Sequence, residues 1–90
     1  MKGMVDFNMI ATIASVTSAN RLKKCAMEYG INSSIIQTPH ILTKEGCGYS
    51  VRFDEIYISE IKSCADALNI KIRGFFKEKI EEGKPTYIKL

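Results

Sequence analysis

The chain has 90 residues, 46% of them hydrophobic and 26% charged, with no low-complexity tract. That describes one small globular domain with a single modest core, and it excludes a disordered protein. The balance of 13 basic against 10 acidic residues gives a net charge of +3, which permits an anionic partner without demanding one.

No apolar run approaches the length of a membrane span. The stretch from Met9 to Ala19 imitates a signal peptide, but Thr12, Ser15, Thr17 and Ser18 interrupt it, and its removal would take the first strand. Three cysteines, Cys25, Cys47 and Cys64, are an odd count without CxxC spacing. This is neither a disulfide framework nor a zinc site, so the expectation is a cytoplasmic protein with reduced thiols, no metal and no cofactor.

In chain order, Phe7 to Ala14 reads as a strand, with Phe7, Met9, Ala11 and Ile13 alternating against Asn8, Ile10 and Thr12. Ser15 to Asn20 is rich in the hydroxyls and amides that cap a helix start. A helix follows from about Thr17 to Tyr29, with Ala19, Leu22, Ala26 and Tyr29 as its apolar stripe and Gly30 as its stop. Ile31 to Thr38 is a second strand, ended by Pro39. Gly48 to Phe53 alternates cleanly, with Tyr49, Val51 and Phe53 on one face. Asp54 or Glu55 opens a second helix, whose stripe is Ile58, Ile61, Cys64, Ala65 and Leu68. Ile70 to Phe76 is a fourth strand, with Ile70 and Ile72 inward and Lys71 and Arg73 outward. Lys77 to Leu90 reads as a tail, either disordered or carrying a short extra strand at its end.

The order β-α-β-β-α-β predicts an α+β, ferredoxin-like sandwich: a four-stranded antiparallel sheet with both helices on one face. Residues 1–76 form this single domain and 77–90 the tail.

That topology puts the start of the first helix and the loop around Cys47 at one end of the domain. Free N–H groups at a helix start favour a thiolate. Gly46 and Gly48 leave the sulfur open, His40 or Lys44 adds positive character, and Ser15, Thr17 and Ser18 supply the helix start. A loop cysteine of this kind is also compatible with an incidental thiol, and glycines in a hairpin with simple turn geometry. Cys25 and Cys64 fall at or beside apolar helix positions and read as packing residues.

The runs "MIATIASVTSANRLKK", "YGINSSIIQTPHI" and "GCGYSVRF" together resemble the selenium/sulfur carrier protein-like family. The shared features fall at Ser15, Ala19, Gly30-Ile31, Pro39 and the Cys47-Gly48 pair opening the third strand, and they span Met9 to about Phe76. After the proline the family pattern carries arginine, where this chain has His40. The resemblance implies that Cys47 carries sulfur or selenium between a donor, such as a cysteine desulfurase or a selenium-donor protein, and an acceptor enzyme. The protein would then be an accessory rather than a stand-alone catalyst.

Two other readings are open. One is a small-ligand-sensing or homodimerisation module, which rests on fold class. The other is RNA binding through Arg52, Lys71 and Arg73, which lacks the outward aromatic pair that stacks bases.

Overall fold

A computed structural model describes residues 7–42 and 48–90 of the protein. Five strands and two helices follow in the order β1 (Met9–Ile13), α1 (Val16–Glu28), β2 (Ser34–Gln37), β3 (Tyr49–Phe53), α2 (Ile58–Ala67), β4 (Gly74–Glu81) and β5 (Lys84–Lys89). Short 3-10 turns cover His40–Leu42 and Glu55–Tyr57.

The fold is α+β, with two helices and one antiparallel sheet in the order β2-β3-β1-β4-β5. The sheet has five strands rather than the expected four. The added strand comes from the segment read as a tail. β4 runs on past Phe76 to Glu81, the chain reverses at Glu82 and Gly83, and β5 returns antiparallel, pairing Glu81 with Lys84. Both turn residues have positive φ, 53° and 78°, as a two-residue hairpin turn matching strand twist requires. β5 is an outer strand, and it contains Pro85.

β1 is the central strand, and all five of its residues are buried. Met9, Ala11 and Ile13 form one core with Val51 and Phe53 of β3, Ala19, Leu22 and Ala26 of α1, and Ile61, Cys64 and Ala65 of α2. Phe75 of β4 packs against this core, its ring edge-on to Phe53 at 6.3 Å. On the opposite face Ile10 lies between Arg52 and Phe76 in register and is fully buried.

Both helices end in the same motif. In α1 the Gly30 N–H donates to Met27 O and the Ile31 N–H to Ala26 O; in α2 Asn69 donates to Asp66 O and Ile70 to Ala65 O. Gly30 and Asn69 both have positive φ, and the isoleucine after each is buried. This is the Schellman cap, in which an apolar residue two places beyond the helix cap closes against the last turn. It corrects two expected strand starts. Ile31 and Ile70 finish helices, so β2 begins at Ser34 and β4 at Gly74. Lys71 and Arg73 therefore precede β4 instead of projecting from it. Tyr29, expected in the apolar stripe, is the cap residue of α1 and is exposed.

A further correction concerns the thiols. Cys25 of α1 and Cys64 of α2 are joined as a disulfide across the helix pair, with Cα atoms 6.0 Å apart. Cys64 is buried and Cys25 packs against the core, so both keep the packing role expected of them but not the reduced state.

Candidate functional site

The upper end of the sheet, where β1 finishes, gathers the start of α1, the end of β2, the starts of β3 and β4, and the end of β5. α1 opens with Ser15 as its cap. The Ser15 side chain accepts from the Ser18 N–H at 3.2 Å, and its hydroxyl also bonds that of Ser18 at 3.1 Å. Thr17 lies in the first turn and is exposed. The first turn has no acidic residue, so the positive end of the helix dipole has no local side-chain compensation.

Gly48 is tied to this same end. Its carbonyl accepts from the Thr38 N–H at 3.1 Å, and its φ is +125°. A Cβ there would stand 3.3 Å from the carbonyl oxygen of Ile13, two residues before the Ser15 cap. The backbone conformation favours glycine, and the close approach would hold a Cβ tight against Ile13 O. Of the other expected site residues, Lys44, Gly46 and Cys47 lie outside the described residues, and His40 opens the 3-10 turn His40–Leu42.

On the face away from the helices, this end holds a cavity of about 160 Å³ lined by Thr12, Thr38, Leu42, Arg73, Phe76 and Lys89 among others. The Arg73 backbone N–H donates to Thr12 O at 2.8 Å, fixing its position beside the central strand. Lys89 is opposite Phe76 in register. The Thr38 and Ser50 hydroxyls share a buried hydrogen bond of 2.7 Å in which either can donate. Among the described residues neither Arg73 nor Lys89 makes an ion pair.

The sequence pointed to Arg73 only as part of an outward basic row with Arg52 and Lys71, and that row does not form. Arg52 is engaged at the lower end with Glu78 at 2.7 Å and with the Phe7 carbonyl at 3.1 Å. Lys89 falls in the short extra strand that was one of the two readings of the tail, but the pairing of that strand with β4, which brings Lys89 here, was not foreseen. The available signal was the Glu-Gly pair at 82–83 between two β-rich runs.

Residues 8–77 match the family described as "Putative Se/S carrier protein-like". The chain belongs to that family. No curated protein and no solved structure matched. Among the described residues no helix is long and apolar enough to cross a membrane.

Proposed function

We propose that the protein is a sulfur or selenium carrier, with Cys47 as the accepting thiol. The observation that carries this reading, beside family membership, is the attachment of Gly48, the residue after Cys47, to the end of the sheet where α1 begins. An uncompensated helix start favours the thiolate, the reactive form. Ser15, Thr17 and Ser18 form that helix start, Gly46 and Gly48 leave room around the sulfur, and His40 and Lys44 tune its charge.

The Cys47 thiolate attacks the terminal sulfur of a donor protein's persulfide. A new S–S bond forms, the donor's own S–S bond breaks, and the donor leaves as its thiolate. Transfer to an acceptor enzyme repeats the same exchange with the carrier as donor, so no external oxidant or reductant is consumed. A cysteine desulfurase or a selenium-donor protein fits the donor role. We read β4-β1-β3-β2 with the two helices as a ferredoxin-like sandwich extended by β5, and we propose the cytoplasm as the location. Reduction of Cys25–Cys64 there would leave Cys64 in the core and Cys25 packed against it.

The test is incubation with a cysteine desulfurase and cysteine, followed by intact mass spectrometry under non-reducing conditions. The parent is expected to gain the mass of one sulfur and Cys47→Ser to gain none. Equal gain by the variant overturns the assignment.

A further inference from the structure

We propose that the cavity at the upper end of the sheet is a binding site for a small tetrahedral oxyanion of the phosphate or thiosulfate class. This is independent of whether Cys47 carries sulfur. The lining includes Arg73, Lys89 and Thr38 around a space that holds several waters, hence one small anion.

The donors are suited to that task. Arg73 offers a planar fork of N–H groups matched to two oxygens of one anion, and its backbone is held to Thr12. Lys89 approaches from the neighbouring β5 and contributes a point charge. Thr38 becomes a donor whenever Ser50 donates to it in their shared hydrogen bond. Thr12 already donates to Gly74 O at 3.3 Å, so it shapes the floor of the cavity. Leu42 and Phe76 supply apolar wall.

Basic side chains without an ion pair also occur elsewhere among the described residues, Lys71, Lys79 and Lys84 included; what marks this site is that two of them line one cavity. Arg52 and Lys77 are each paired with a glutamate, and Lys62 lies over the Phe75 ring. Arg73 and Lys89 have no such partner among the described residues, and they line the same cavity.

The experiment is an amide NMR titration of the full chain with sodium phosphate and, separately, sodium thiosulfate, against sodium chloride at matched ionic strength. Saturable shifts are expected at Thr12, Thr38, Arg73 and Lys89 with both oxyanions and not with chloride. Arg73→Gln and Lys89→Gln should each weaken binding about tenfold, the loss expected for one charge-assisted contact. Both variants should keep the urea midpoint of the parent, because the two side chains are exposed. Tighter binding of thiosulfate would identify a sulfur-bearing ligand, and tighter binding of phosphate a phosphoryl ligand. Shifts that are absent, that match chloride, or that persist unchanged in both variants overturn the proposal. Cys47→Ser should titrate like the parent, so failure of the carrier reading and failure of this site are distinguishable.

Discussion

The two ends of the sheet handle charge in opposite ways. At the lower end, where β1 starts, polar groups are tied to one another. Asn8 donates to Glu55 at 2.9 Å and accepts from the Glu55 N–H at 2.9 Å, while Lys77 reaches the same carboxylate at 3.2 Å. Arg52 pairs with Glu78, whose other oxygen accepts from the Tyr87 hydroxyl at 3.1 Å. At the upper end Arg73 and Lys89 line a cavity and make no ion pair among the described residues, and a glycine holds a conformation other residues avoid. Groups that satisfy each other support the fold. Groups left unsatisfied beside a cavity are available to a ligand.

The largest expected effect that bears on this contrast comes from the backbone of the upper end. Gly48→Ala should destabilise the protein by about 1–3 kcal/mol, through the left-handed φ and the approach to Ile13 O together. The urea midpoint measures it. A neutral result would mean that the close approach is not needed to hold this end together.

Next is the lower end. Glu78→Ala should cost about 1–2 kcal/mol, because it leaves the half-buried Arg52 guanidinium with one backbone partner and its Nε still unpaired. The side chain of Arg52 keeps part of its hydration, which holds the figure below that of a fully buried pair. The same variant should lower the pKa of Tyr87. Burial, and then the Glu78 hydrogen bond, hold that phenol above its ordinary value, and without Glu78 burial alone would raise it, against the Arg52 charge that lowers it. Ultraviolet titration of tyrosine reads the change.

The smallest effect is a pH dependence at Glu55. Lys77 first, and then Asn8, hold its carboxyl below the ordinary glutamate value. A depressed folded-state pKa contributes stability that is fully present above the unfolded value and is lost as pH falls through the folded one. Stability should therefore decline below the ordinary glutamate range, and Glu55→Gln should flatten that slope in acid denaturation curves.

How much of this was legible in the sequence depended on whether one periodicity governed a segment. In β1 and β3, alternation placed Met9, Ala11, Ile13, Val51 and Phe53 in the core. At the two helix exits the signals overlapped. Ile31 and Ile70 are β-branched and apolar, which suits a strand, but each caps a helix. The displaced start of β4 also reversed its phase. Continuing inward from Ile70 and Ile72 predicts Phe76 in the core, whereas Phe75 packs there and Phe76 pairs with Ile10 on the other face. Ser15 was legible as a helix cap and Gly48 as the opening of the third strand. The cavity lined by Thr38, Arg73 and Lys89 was not, because three separate chain segments bring them together.

The hairpin that adds β5 also changes what the sheet offers to its surroundings. One margin is now β2, only four residues long, and the other is β5, interrupted by Pro85 and bounded by Lys84 and Lys89. Short length, proline and lysine are the features that discourage a second chain from adding itself to a sheet. Both margins of the sheet are therefore built against the addition of a further strand, which leaves side-chain surfaces as the means by which another molecule is met.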